Sequence, residues 1–299
     1  MKSLFCAVFS ILTMSALHAQ PIKVATLSSV LADIARNVGG DRVDLLEIVK
    51  PGTDPHLFDP SPGDIKKIST ARIVLASGLG FETYLDKLRS SVGKVEFVVA
   101  GDFVKPILSE AKDECQDGHH HHSHGDKVTD PHWWHSISNV EIVTRRIRDA
   151  LIAADPEGRS VYEANAKAYD AKLNSLSKWV RLQLARLPKN KRILVTSHDA
   201  LGYFANDYGF EVLPVQGIST SDQPSSQKVR KLIQQIKDNQ VKAIFAENIE
   251  NPKVLQQITK ETGAKIGGTL YADGLGNGAA STYEGMIRSN VTAIVEALK

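Results

Sequence analysis

The sequence predicts an α/β protein of two lobes, each a mostly parallel sheet flanked by helices, joined by one long rigid helix. Short apolar runs alternate with amphipathic stretches in two separate blocks, the rhythm of parallel strands with helices on both faces. Between the blocks one apolar stripe repeats every three or four residues, the period of a helix. A chain of 299 residues is ample for two such lobes, each burying a core.

The first block opens with IKVATL from Ile22 and continues through SVLADIARNVGG, VDLLEIV, SPGDIKKIST, RIVLAS, FETYLDKLRSS and VEFVVA. The second resumes at RILVTS from Arg192, followed by DALGYFANDYG, FEVLPVQ, SSQKVRKLIQQIKDN, KAIFAEN, PKVLQQITKETG, AKIGGTLY and a last helix ending at Leu298. The stripe between them consists of Tyr162, Ala166, Tyr169, Leu173, Leu176, Val180, Leu184 and Leu187, bounded by Pro156 and Pro188. A helix of that length spans roughly 40 Å and would act as a stiff strut. The expected organisation is therefore an N-terminal lobe over 20–155, a linking helix over 156–188 and a C-terminal lobe over 189–299.

Residues 1–19 have a different character. Lys2 precedes an apolar stretch from Leu4 to Leu17, and a small residue follows at Ala19. This is the pattern of a secretory signal peptide cleaved near Ala19, too short and interrupted for a membrane span. Cys6 would leave with the leader and lies too early in the apolar run for lipid attachment. Only Cys115 then remains, so no internal disulfide can form and packing must stabilise the fold, aided by any bound metal. Lys and Arg total 36 against 34 Asp and Glu, a net charge of +2 that gives no support for nucleic-acid binding.

The segment DECQDGHHHHSHGDKVTD, residues 113–130, is polar, acidic and rich in histidine. It has too little apolar surface to offset the entropy of ordering, which predicts a mobile loop. One reading of its cluster His119, His120, His121, His122 and His124 is metal capture. An internal expression tag is the other reading of those residues, and Cys115 is an idle thiol or an added ligand.

Four candidate metal ligands fall at turns after predicted strands, where open α/β sheets bind ligands. They are His56 in PGTDPHLFDPSP, His132 in DPHWWHS, His198 in VTSHDALGYFA and Asp273 in LYADGLG. A lone loop histidine is more often solvated or hydrogen-bonded than a ligand, and Asp-Gly is ordinary turn chemistry. Their joint occurrence in this order carries the argument.

Together these motifs, with QGISTSDQPSSQKVRKLIQQIKDNQVKAIFAEN, resemble the metal-binding solute-binding proteins of bacterial ABC importers for zinc and manganese. The resemblance covers essentially the whole mature chain. It implies two α/β lobes bridged by a long helix, with the ion in the cleft held by His56 and His132 from the first lobe and His198 and Asp273 from the second. It also implies delivery of the ion to an ABC transporter permease in the periplasm, and gives the histidine cluster a metal-capturing role. Manganese members tend to carry a carboxylate at the third position and zinc members a histidine, as here. Three imidazoles and one carboxylate suit borderline-soft Zn(II), whereas Mn(II) prefers more oxygen donors. The expected ligand is Zn(II), carried by a monomer, with a manganese importer component as the alternative and a zinc-donating periplasmic protein as a second candidate partner.

Neighbouring residues have less to recommend them. His135 competes with His132 as a ligand or supports it. Glu247 is either a satisfied strand-end carboxylate, the commoner case, or an acceptor that orients an imidazole. Asp59 and Asp199 read as turn and helix N-cap residues. A zinc hydrolase would need an open ligand position, and no HExxH helix, nucleophile elbow or phosphate loop is present. A periplasmic zinc buffer without an importer is the other rival function.

Overall fold

The computed structural model describes residues 20–110, 127–222, 224–248 and 253–299. The expected leader, Cys115 and the cluster from His119 to His124 lie outside the described residues. The first block forms β1 (Ile22–Thr26), α1 (Ser29–Gly39), β2 (Val43–Glu47), α2 (Pro62–Ile68), β3 (Ile73–Ala76), α3 (Leu85–Ser91) and β4 (Glu96–Val99). Its strands build a four-stranded sheet in the order β2-β1-β3-β4, every neighbouring pair parallel. Local chemistry sets the helix starts. Ser28 accepts a hydrogen bond from the Val30 N–H to cap α1, and Ser61 and Asp64 form a reciprocal capping box around Pro62 in the first turn of α2.

A short antiparallel pair follows, β5 (Leu108–Glu110) with β6 (Lys127–Thr129). It trims the polar segment predicted as loop over 113–130, because residues 127–129 belong to a strand. Next comes α4 (Ile137–Ala154), a helix not anticipated from the sequence. Its buried positions Ile137, Val140, Val143, Ile147 and Leu151 recur at helical spacing, so the signal was present.

The long helix is α5 (Arg159–Leu184), of 26 residues, or about 39 Å at ~1.5 Å per residue. Every stripe residue from Tyr162 to Leu184 is buried, and Leu187 is buried just beyond its end. Fully burying a Leu or Val side chain contributes about 1.5–3 kcal/mol, so this stripe is what holds the helix in place. An Asp at Leu173 would bury a charge in the middle of it.

The second block gives β7 (Ile193–Thr196), α6 (Gly202–Tyr208), β8 (Glu211–Pro214), α7 (Ser226–Asp238), β9 (Ala243–Glu247), α8 (Lys253–Thr262), β10 (Lys265–Leu270) and α9 (Tyr283–Leu298). Its sheet runs β10-β9-β7-β8, again all parallel. One apolar cluster spans both lobes, from Val24, Ile34 and Ile73 through the α5 stripe to Leu194, Phe245 and Ile294. A separate cluster backs the outer face of each sheet. The lobes therefore share an inner core built on α1, α4, α5 and α9. Among the described residues no helix is long and apolar enough to cross a membrane.

Candidate metal centre

Each candidate ligand sits just past the carboxyl end of a strand or in the loop that follows one. His56 lies between β2 and α2, where Asp54 Oδ1 accepts its backbone N–H at 2.9 Å. His132 follows β6, and Asp130 Oδ1 accepts both its backbone N–H and its ring Nδ1–H, each at 2.8 Å. The two turns share the tripeptide Asp-Pro-His. Proline lacks an N–H, so the Asp carboxylate closes an Asx turn on the next residue and presents the imidazole.

His198 follows β7, and Glu247 ends β9, the strand on the far side of the point where the strand order reverses. Glu247 Oε2 lies 2.5 Å from His198 Nδ1, and Oε1 accepts the His198 backbone N–H at 3.1 Å. Glu247 thus orients an imidazole, the less common of the two roles predicted for it.

Asp273 follows β10. The preceding carbonyl, Ala272 O, accepts Trp134 Nε1–H and His135 Nε2–H at 2.8 Å each. On its other side the Leu275 N–H reaches Ser29 Oγ at 2.9 Å, and a Cβ at Gly274 would lie 2.7 Å from that oxygen. Gly274 is what allows this approach. The carboxylate that the C-terminal lobe contributes is therefore held by residues of the N-terminal lobe.

These turns bring His56, His132, His198 and Asp273 together, their ligand atoms all within 4.8 Å of one another. Asp273 Oδ1 is 3.6 Å from His56 Nε2, 3.2 Å from His132 Nε2 and 3.1 Å from His198 Nε2. The four side chains are 6%, 0%, 0% and 1% exposed. Phe81 lies edge-on to His56, with ring centroids 5.0 Å apart, and also packs on His132 and Trp134. The second carboxylate oxygen, Asp273 Oδ2, is buried without a hydrogen-bond partner among the described residues. Leaving such an acceptor unsatisfied costs about 1–3 kcal/mol, a cost that a cation in the cleft would remove.

The electrostatics agree. Burial opposes charge on Asp273, but the His198 charge and hydrogen bonds from His132, His198 and His56 hold its carboxyl well below the usual range. Burial likewise disfavours protonated His198, yet Asp273 and Glu247 raise its pKa well above the ordinary value. For His132 burial is outweighed by hydrogen bonds to Asp130 and Asp273, which bring it up to about 8. Protons and a divalent cation would compete for this cluster.

Of the two roles open to His135, the geometry shows the supporting one: its Nε2–H is used on Ala272 O, and burial together with the His132 charge pushes it down to about 4. One minor expectation needs correction. Asp199 does not cap α6, since the cap position is Leu201. Asp59 is an exposed residue of the loop before α2, as expected of a turn residue. Asp54 and Asp130 were not foreseen as supporting groups, although the repeated Asp-Pro-His was in plain view.

Two parallel-sheet lobes on a shared core, with a buried cluster of three imidazoles and a carboxylate between them, define a bilobal solute-binding protein for a metal ion. The similarities of the chain agree with that class. Residues 24–297 match the ZnuA family, described as "Zinc-uptake complex component A periplasmic", and the chain belongs to this family of metal-binding solute-binding proteins of ABC importers. It is 36% identical to the manganese-binding lipoprotein MntA of Bacillus subtilis (strain 168), covering 94% of this chain and 90% of that protein. Identity to the iron-binding protein YfeA of Yersinia pestis is 34%, over 93% of this chain and 86% of that one. The periplasmic zinc-binding protein TroA from Treponema pallidum superposes with a TM-score of 0.82 at 28% identity, covering 94% of this chain and 99% of its own. Members of the family bind substrate for a permease and its ATPase and are not enzymes, which removes the hydrolase reading.

Proposed function

We propose that the protein captures Zn(II) in the periplasm and delivers it to the permease of an ABC importer, with His56, His132, His198 and Asp273 as the four ligands. The observation that carries this reading is the convergence of three Nε2 atoms on one carboxylate whose second oxygen has no partner among the described residues. Carboxylates behind His132 and His198 support it, because an acceptor on Nδ1 fixes the tautomer that leaves Nε2 free for an ion. A closed set of three nitrogens and an oxygen favours Zn(II) on donor softness.

In this reading residues 1–19 are a leader removed on export, and lobes over 20–155 and 189–299 flank the linking helix over 156–188. The protein acts as a monomer, loaded from solution or by a zinc-donating periplasmic protein. Residues His119 to His124 add weak capture, so deleting them should lower the number of loosely held ions and leave the tight site intact. Loss of tight binding on that deletion would contradict the four-ligand assignment.

A second reading, capture of Mn(II), draws on the manganese-binding name of MntA at 36% identity. Competition titrations of metal-stripped protein with Zn(II) and Mn(II), followed by anomalous scattering from crystals of the complex, decide between them. Tighter Mn(II) binding, or an ion held by other residues, would overturn the zinc proposal.

A further inference from the structure

The two Asp-Pro-His turns use their carboxylates differently. Asp130 spends Oδ1 on both the backbone and the ring of His132. Asp54 spends Oδ1 on the His56 backbone, but its Oδ2 accepts the Thr220 hydroxyl at 2.9 Å, from the other lobe. His132 and His198 each have a carboxylate on Nδ1; among the described residues none reaches Nδ1 of His56. His56 is also the most exposed of the four candidate ligands and comes from a loop lacking regular structure, with Leu57 next to it 66% exposed.

Thr220 is presented by a folded loop. Gln216 Nε2 donates to Thr220 O at 3.3 Å, Asp222 Oδ2 accepts the Ser219 N–H at 3.2 Å, and Lys228 Nζ donates to Gln216 O at 2.9 Å. The Gln216 N–H in turn bonds Ser197 O at 2.8 Å, one residue before His198. A continuous path of bonds thus runs from the His198 strand end to the His56 turn across the cleft.

Elsewhere the lobes meet mostly through buried bonds, with part-buried ones from Ser136 Oγ to Asp207 Oδ2 at 2.6 Å and from the Ile107 N–H to the Tyr203 hydroxyl at 3.2 Å. Ala272 O receives Trp134 and His135, the Tyr283 N–H is accepted by Asp33, and the Tyr283 hydroxyl donates to Trp134 O at 2.8 Å. These bonds accompany the shared core. The Asp54–Thr220 bond is part-buried and stands at the His56 side, where the cleft meets solvent.

We propose that Asp54 and Thr220 form a latch: Asp54 positions His56 and Thr220 ties that turn to the opposite lobe, so breaking this one bond lets His56 withdraw and sets the rate of metal release. The latch rests on the reading of the four-residue cluster as a metal centre. It makes Asp54 and Thr220 positioning residues that touch no ion.

Stopped-flow release of Zn(II) into a chelator tests this with the full mature chain. Thr220→Val should release zinc about tenfold faster, the effect of losing a hydrogen bond to a charged acceptor, with association and the melting temperature of the metal-free protein little changed. Thr220→Ser keeps the hydroxyl and should match the wild type. Asp54→Ala combined with Thr220→Val should release no faster than Asp54→Ala alone. If wild-type protein holds zinc tightly but Thr220→Val releases it at the wild-type rate, the latch is wrong and the metal centre stands. Wild-type protein that holds neither Zn(II) nor Mn(II) overturns both.

Discussion

Glu247 grips His198 twice, its Oε2 at the ring Nδ1 and its Oε1 at the backbone N–H, so a residue at the end of β9 fixes the imidazole at the end of β7. Glu247→Gln has nearly the same shape but offers one acceptor where there were two. Loss of such an orienting partner commonly weakens metal binding by about 10- to 100-fold. That range is expected here in zinc titrations, with the fold unchanged by circular dichroism. Wild-type affinity in the variant would mean that the ring is held without Glu247.

His198→Ala should cost more than that, because it removes a donor atom where Glu247→Gln only frees one to turn, a loss beyond roughly 100-fold. His198→Glu is the sharper comparison. It places a hard oxygen and a negative charge beside Glu247 and Asp273 and should narrow the preference for Zn(II) over Mn(II). Calorimetric titration of both variants with each ion gives the ratio; an unchanged ratio would remove His198 as the selector.

The stability of the metal-free protein and its affinity for zinc should respond to pH in opposite directions. His132 is raised from 6.5 to about 8 by Asp130 and Asp273 acting against burial. A raised folded pKa gives stability that is fully present below the unfolded value and is lost as pH climbs through the folded one. The metal-free protein should therefore lose on the order of 2 kcal/mol between about pH 6.5 and pH 8, with His198 adding in the same direction. Zinc needs neutral imidazoles, so its affinity should rise over that window and binding should release protons. Melting temperatures with and without zinc read both trends, and parallel curves would contradict the proton-for-metal exchange.

The lobes should move little on metal release. A continuous helix of 26 residues packs on α1 and α4 from one lobe and α9 from the other, and one apolar cluster crosses between them. A wide rotation would have to open that core and bend the helix, whereas the loops at His56 and Thr220 can shift alone. Small-angle scattering of metal-free and zinc-bound protein should nearly coincide. A large compaction on zinc addition would sink the strut.

The sequence by itself determined the secondary-structure rhythm and the stripe of α5, because each is written in local period; it pointed to His56, His132, His198 and Asp273 only through the joint resemblance of their motifs to a known family, since spacing along the chain does not show that four loop residues meet. The helix over Ile137–Ala154 carries the same kind of local spacing. What only the tertiary structure decided were relations between residues far apart in the chain. Glu247 became the partner of His198, 49 residues away, because parallel strands on either side of the sheet's reversal point end side by side. His135 was drawn off to Ala272, 137 residues on, and Asp54 to Thr220, 166 residues on. A hydrogen bond is set by distance and direction in space, and a strand crossover erases the sequence separation that any pattern along the chain can read.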